Sequence, residues 1–561
     1  MDESKDAGAS PSTASAADVP LGAIEPEVEQ QAGGSGLGRT TAFFSIATGA
    51  SRVAGLVREI VAASYFGVKG PMSAFTLAFQ LPNLIRALFA DAALQAAFVP
   101  VFTEQLEQGN RRDAFRLAST LIFLILAVLG LITGLFILLA PVLMPLFGPG
   151  LSPGTQDLSV VLAQLLFPIL VMLGISGVVV GVLNSYNRFS MFAVAPLFWN
   201  VAIIAVLVGL APAFPEGKRI YAYAIGVVVG TALQLALLVF DMRRTPFRPR
   251  LVFDWRSPLV KKVLLLMLPV TISLGLININ LVINSSFGSL VTGSVVNAAG
   301  LSRPLSDFAP AAIDKAFRIY MLPQGMFSVA VTTVIFPTLS RYAARREYEH
   351  LRATMANGMR MILLVLTPAA AAILVLSVPM VRLVYEHDQF TPEQTPLVAT
   401  ALFWFAFSLP FNGLFLIMTR TFFSLQRPWV PTWISGLNLL ITAGAAVAFY
   451  KPFGIGGIVA GTALATAFSV VAQMVVLRRE LGGIELRGLI DAAVRIVVAS
   501  GALAGVSYLT WDLLDGALGE GTLAQIASLG AGLLLGALVY LGAVLAMRVP
   551  EALQLMRLVR R

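Results

Sequence analysis

The chain has no cysteine and only two histidines, His350 and His387, in 561 residues. Without thiols there is no disulfide framework, no thiolate metal site and no cysteine nucleophile. Both histidines stand in polar stretches beside charged residues and read as solvated loop positions, so a histidine-rich metal centre or a Ser/His/Asp triad is not expected. No GxxxxGK[ST] segment occurs, which excludes a phosphate-loop ATPase. No acid pair at a recognisable spacing points to an intramembrane enzyme either. Charge is also scarce: Asp, Glu, Lys and Arg make up 12% of the chain, against roughly a quarter in a soluble protein.

What fills the chain instead is apolar sequence. It is 57% hydrophobic, with a mean hydropathy of +0.83, and apolar runs of about 20 residues recur along nearly its whole length, as membrane-spanning helices require. The fold class expected is an all-α polytopic membrane protein. Fourteen spans are read, at 41–66, 73–104, 115–146, 156–184, 191–212, 220–242, 261–287, 305–340, 355–385, 395–424, 431–450, 454–477, 488–511 and 523–547. The second and eighth are long, and breaks are expected at Leu81-Pro82 and Leu322-Pro323, since proline removes a helix hydrogen bond. Residues 1–38, rich in Ser, Ala, Gly and acids, have no basic n-region or apolar h-region and read as a disordered tail.

The net charge of +9 is a matter of topology rather than of nucleic-acid binding. Alternate connections hold Arg111 and Arg112, Arg188, the run from Arg243 to Lys262, Arg341 to Arg346, Arg427, and Arg478 to Arg487, joined by the tail from Arg548 to Arg561. The other connections hold little beyond Lys69, Lys218, Arg219, Arg303 and Lys451. This asymmetry puts both termini in the cytoplasm.

The chain also repeats itself in parallel. Gln80-Leu81-Pro82-Asn83 and the later Phe98-Val99-Pro100 match Met321-Leu322-Pro323-Gln324 and Ile335-Phe336-Pro337. Asn184-Ser185-Tyr186-Asn187-Arg188, followed by Pro196 and Asn200, matches Phe423-Ser424-Leu425-Gln426-Arg427, followed by Pro431 and Asn438. Parallel repeats of six spans are a transporter signature, with the substrate path between the halves. Expected units are residues 1–38 (tail), 39–250 (first lobe), 251–480 (second lobe) and 481–561 (two further spans and a basic tail).

Within the first two spans stand Arg52, Arg58 and Arg86, opposed only by Glu59 and Asp91. A charge at mid-bilayer costs about 2.5–3.5 kcal/mol on insertion scales, so such residues face a cavity or a partner. Ser51, Arg52, Gly55 and Glu59 share one side of a helix, with Arg58 about a third of a turn away. Arg318, one turn after Asp314, is the corresponding cation of the second half. The functional reading is a cationic cavity in which Arg52, Arg58, Arg86 and Arg318 grip phosphate oxygens. Ser51, Gly55, Glu59, Asn83 and Asp91 are the supporting residues, and local pairing of Arg58 with Glu59 and of Arg318 with Asp314 is the plain structural alternative. Asn278, Asn280 and Asn284 in the seventh span read as interhelical glue.

Ser51-Arg52-Val53-Ala54-Gly55-Leu56-Val57-Arg58-Glu59, followed by Phe79-Gln80-Leu81-Pro82-Asn83-Leu84-Ile85-Arg86, resembles the MurJ (MviN) family. The likeness continues through Phe89-Ala90-Asp91, Ala97 to Glu104, Leu183 to Ser190, Leu322 to Ser340 and Tyr385 to Thr391. The resemblance implies a flippase for lipid II, the undecaprenyl-diphosphate-linked peptidoglycan precursor, working by alternating access in the bacterial plasma membrane. It implies the fold of the multidrug/oligosaccharidyl-lipid/polysaccharide exporter superfamily: two six-helix lobes around a central cavity, plus two helices forming a lipid-facing groove. By match of motif, the family's cavity arginines fall on Arg52, Arg58, Arg86 and Arg318. Partners implied are lipid II, membrane lipids and cell-wall synthesis proteins. No cofactor is expected, and a monovalent cation or the membrane potential would drive the cycle. Departures from the family pattern are Ser73, where an acid is frequent, Phe317 and Met321 flanking Arg318, and a longer connection at 290–313. The alternatives are an exporter of another lipid-linked oligosaccharide and a non-transporting scaffold for cell-wall enzymes.

Overall fold

The computed structural model describes residues 34–89, 92–186, 188, 190–296, 300–519 and 521–552. Asp91, most of the N-terminal tail, Asn187, Phe189 and the last arginines lie outside the described residues. The chain is helical almost throughout, as a backbone that must satisfy its own polar groups in lipid requires. In order the helices are α1 (Gly34–Phe66), α2 (Gly70–Phe89), α3 (Ala92–Glu107), α4 (Arg111–Phe147), α5 (Pro153–Leu166), α6 (Ile169–Ser185), α7 (Ser190–Leu210) and α8 (Ile220–Met242). Then follow α9 (Pro258–Gly288), α10 (Ala309–Pro323), α11 (Val329–Ala344), α12 (Tyr348–Tyr385), α13 (Thr395–Ser424), α14 (Trp429–Glu480), α15 (Leu486–Leu518) and α16 (Thr522–Ala546). Among the described residues, nine helical stretches are long and apolar enough to cross a membrane on length and composition alone.

These helices fall on the spans read from the sequence, with instructive differences. α1 begins at Gly34, inside the residues assigned to the tail, because extending a formed helix costs far less than starting one. Pro82 sits inside α2 without ending it; a membrane helix absorbs the lost hydrogen bond where neighbours surround it. The fourth span breaks at Phe167-Pro168 into α5 and α6, a discontinuity not foreseen. The eighth does break where expected: α10 ends at Pro323, a π-helical turn covers Gln324–Ser328, and α11 resumes at Val329. The long connection before it folds as a two-stranded antiparallel ribbon, β1 (Ser294–Val296) and β2 (Ser302–Pro304).

The eleventh and twelfth spans form a single run, α14, that reverses direction at Gly454 (φ 55°, ψ −135°). This left-handed conformation favours glycine. Its two arms pack through small residues: a Cβ on Gly457 would lie 2.4 Å from the Phe449 carbonyl oxygen, and one on Gly461 2.7 Å from the Ala445 Cβ. α15 and α16 form a second close pair, in which a Cβ on Gly536 would meet the Ser507 hydroxyl oxygen at 1.9 Å. This pair docks on α12, where the Tyr540 hydroxyl donates to the Leu364 carbonyl at 2.5 Å.

The repeat is visible in equivalent contacts. Asn200 of α7 donates to the Ser51 carbonyl of α1 at 3.4 Å. Asn438 of α14, its counterpart, accepts from Asn280 of α9 at 3.0 Å. In each half an asparagine thus joins the fifth span to the first, as donor in one half and acceptor in the other. Asn284 adds a bond from Thr462 at 3.0 Å, so these two amides act as interhelical glue.

Candidate functional site

On the side opposite the basic connections the two halves meet through their loops. There the Val68 amide donates to Gln394 Oε1 at 2.7 Å, Lys69 Nζ to Gln389 Oε1 at 2.8 Å, and the Gln389 amide to the Ser64 carbonyl at 3.0 Å. Ser64 also bonds Asp388. Gly67, at φ 58°, lets this loop pass: a Cβ there would stand 2.3 Å from Gln394 Oε1. Burial, and then repulsion from Arg303, push the Lys69 ammonium below its ordinary value. Nearby, Asp307 accepts from the Ser152 amide at 2.9 Å and its hydroxyl at 2.6 Å. Ser73 accepts from the Ala311 amide at 3.2 Å, so it caps α10 from another helix and does what an acid at that position would do. On the basic side the halves meet through α9, whose Lys262 Nζ lies 3.0 Å from Glu104 Oε2.

Behind this closure lies a narrow cavity of about 20 Å³, lined by residues of α1, α2, α7, α8 and α10. α1 supplies adjacent Arg58 and Glu59, with Arg58 Nη2 2.5 Å from Glu59 Oε1 and the guanidinium over the Trp199 ring at 4.7 Å. α10 supplies Asp314 and Arg318 one turn apart. Arg318 Nη2 donates to Asp314 Oδ1 at 3.1 Å, and its Nε lies 3.9 Å from Glu59 Oε1. Beneath them Lys315 donates to Glu59 Oε2 at 2.6 Å and to the Glu59 carbonyl at 3.2 Å. Three cations and two carboxylates thus share one cluster across the halves. Three buried polar atoms on the cavity wall, Arg58 Nε, Thr76 Oγ1 and Gln80 Oε1, have no hydrogen-bond partner among the described residues. A buried group of this kind is costly unless a ligand or water meets it.

Of the residues expected to form the site, Arg58, Glu59 and Arg318 come together around this cavity. Arg52 and Arg86 do not line it. Arg52 lies six residues before Arg58, or about 9 Å along the helix axis, toward the basic-loop end of α1, and its Nη1 would be 3.7 Å from a Cβ on Gly325 in the π-helical turn. Arg86, toward the basic-loop end of α2, donates twice to Asn83 Oδ1, at 2.9 and 2.8 Å. The cations therefore form two levels, Arg58 with Arg318 at the cavity and Arg52 with Arg86 nearer the basic-loop ends of their helices. Ser51 and Gly55 serve helix packing: Asn200 reaches the Ser51 carbonyl and lies 3.8 Å from a Cβ placed on Gly55. Phe317 stacks on Tyr320 (5.6 Å) and packs on Phe405 (5.5 Å), while Asp314 provides the acid partner for Arg318. Lys315 was missed by sequence reasoning. Its signal was a third charge in the stretch that already held Asp314 and Arg318.

A family model described as lipid II flippase MurJ matches residues 62–529. A probable lipid II flippase MurJ of Rhizobium meliloti is 30% identical over 486 residues, 83% of this chain and 85% of the relative. Among solved structures, a lipid II flippase MurJ in an inward closed conformation superposes with a TM-score of 0.72 at 23% identity, covering 89% of this chain and 97% of that one. An inward-facing multidrug resistance MATE transporter of the MOP superfamily gives 0.62 at 16%, over 77% of this chain and 94% of that one. At these identities the two structures establish a shared fold.

Proposed function

This chain belongs to the MurJ family of lipid II flippases, and on that premise we propose that it carries lipid II from the cytoplasmic to the outer leaflet of a bacterial plasma membrane, with both termini in the cytoplasm. The observation that carries this reading is the cluster of Arg58, Glu59, Asp314, Lys315 and Arg318. It is net cationic and spans both halves, with Arg58, Glu59, Asp314 and Arg318 on the wall of a cavity behind the closure and Lys315 buried behind them. Guanidinium forks match diphosphate oxygens, and a low-dielectric cavity strengthens the match. In this reading the cavity opens toward the basic loops, so Arg52 and Arg86 meet the head group first and pass the diphosphate to Arg58 and Arg318.

In this reading the lobes are residues 39–250 and 251–480. The prenyl tail stays in lipid beside the pair α15 and α16, in the unit 481–561. Rocking of the lobes then breaks the closure at Gln394 and Asp307 and exposes the head group outside. Each elementary charge moved across the membrane couples to about 2.3 kcal/mol per 100 mV, so the membrane potential or a monovalent cation supplies the drive.

The test is complementation. A bacterium depleted of its resident lipid II flippase would express this chain or its Arg52→Ala, Arg58→Ala, Arg86→Ala and Arg318→Ala variants, with membrane levels followed by blot. Rescue by the parent and failure of well-expressed arginine variants is the expected pattern. Rescue by every variant would discard the arginine site. No rescue by a well-inserted parent would favour a different lipid-linked oligosaccharide.

A further inference from the structure

Lys315 is the most deeply buried cation in the described structure: its side chain is 0% exposed, against 10% for Arg58 and 34% for Arg318. It makes no approach to the cavity space. Its Nζ donates to Glu59 Oε2 and to the Glu59 carbonyl, and lies 5.6 Å from the Tyr385 ring centre. The Tyr385 hydroxyl in turn donates to the Lys315 carbonyl at 3.2 Å. A buried ammonium held from three sides has one geometry, and that geometry fixes the Glu59 carboxylate.

The charge count gives this contact a role. Arg58, Arg318 and Lys315 face Glu59 and Asp314, so the cluster carries one net positive charge, and without Lys315 it carries none. Glu59 Oε1 already lies 2.5 Å from Arg58 and 3.9 Å from Arg318. An acid released from Lys315 has both oxygens available to those two guanidiniums and competes there with any anion. We propose that Lys315 is a positioning residue for the diphosphate site: it occupies one oxygen of Glu59 and supplies the charge that keeps the cavity cationic. The contact joins α1 to α10, so it holds only while the halves are together on the sealed side. Parting the halves removes Lys315 from Glu59 and returns the acid to Arg58, which weakens the site as it opens outward. This inference rests on the lipid II reading above.

The experiment uses the full chain, purified in detergent, with undecaprenyl diphosphate as the probe and Trp199 beside the cavity as the fluorescent reporter, the other five tryptophans being replaced by phenylalanine. Lys315→Met is expected to bind at least about tenfold more weakly, the worth of one charge-assisted hydrogen bond. Adding Glu59→Gln restores the net positive charge and is expected to return affinity to within about threefold of the parent. A merely structural lysine predicts that binding falls only as far as the melting temperature falls, so the melting temperature of each variant in detergent is measured beside its affinity. The inference is overturned if Lys315→Met binds like the parent, or if the folded double variant binds no better than Lys315→Met. Should Lys315→Met fail to fold, the double variant, with no stranded carboxylate at 59, decides alone, and tenfold weaker binding by it refutes the proposal. A parent that does not bind, or an Arg58→Ala variant that binds as well as the parent, sinks instead the lipid reading on which the inference stands.

Discussion

Gln394 holds the sealed side with one amide. Its side chain is buried at 2% exposure, its Oε1 accepts from the Val68 amide at 2.7 Å, and its Nε2 donates to the Gln389 carbonyl at 3.1 Å. Replacing it by leucine keeps the volume but leaves the Val68 amide without its acceptor, and only in the closed form, because on opening that amide reaches water. An orphaned buried donor costs about 1–3 kcal/mol, so the open form should gain by roughly 5- to 150-fold. The absence of cysteine makes this measurable. Thr76 lines the cavity and is 4% exposed, so Thr76→Cys provides the only thiol. Its modification by a membrane-impermeant maleimide added from outside should speed up by that factor when Gln394→Leu is introduced. An unchanged rate, with both proteins at equal membrane levels, would mean that the halves do not part at this face.

Further outcomes follow from the same contacts. The Ala311 amide lies 3.2 Å from Ser73 Oγ, which brings the two Cα atoms within disulfide reach; a Ser73→Cys/Ala311→Cys protein should lose complementation under oxidant and regain it with reductant. Arg318→Lys keeps the charge but gives up the two-point contact with Asp314, so rescue should persist at reduced efficiency while Arg318→Ala fails, as growth-rate assays would show. Arg360 bonds Glu551, whose side chain is 1% exposed. Arg360→Ala should cost about 3–5 kcal/mol by stranding that carboxylate, seen as a lower melting temperature in detergent.

The spans were legible because lipid demands long apolar runs, and the arginines because lipid penalises them. What stayed hidden is what depends on register between distant helices. Lys315 and Glu59 are 256 positions apart, and no local pattern says which acid a lysine in α10 will meet. The sealing residues, Ser64 near the end of α1 and Gln389 and Gln394 before α13, are ordinary polar groups until the fold brings them face to face. Pro82 misled because proline signals a break only where nothing else can satisfy the freed carbonyl. The repeat, by contrast, was readable as spaced amides, and the contacts of Asn200 and Asn438 show why: each half joins its first and fifth spans through an asparagine.

The reversal within α14 has a mechanical consequence. Most connections in the chain contain several residues that can stretch, but at Gly454 the direction changes at a single residue, and small side chains lock the arms together within a few residues of it. There is no slack there for one arm to slide past the other. The eleventh and twelfth spans must travel as one stiff strut, tied to α9 from both arms, through Asn438 to Asn280 and through Thr462 to Asn284. An epitope inserted beside Gly454 would meet a hinge that cannot lengthen, whereas the connection around Gly519, where a Cβ would meet nothing within 4 Å, has room for one.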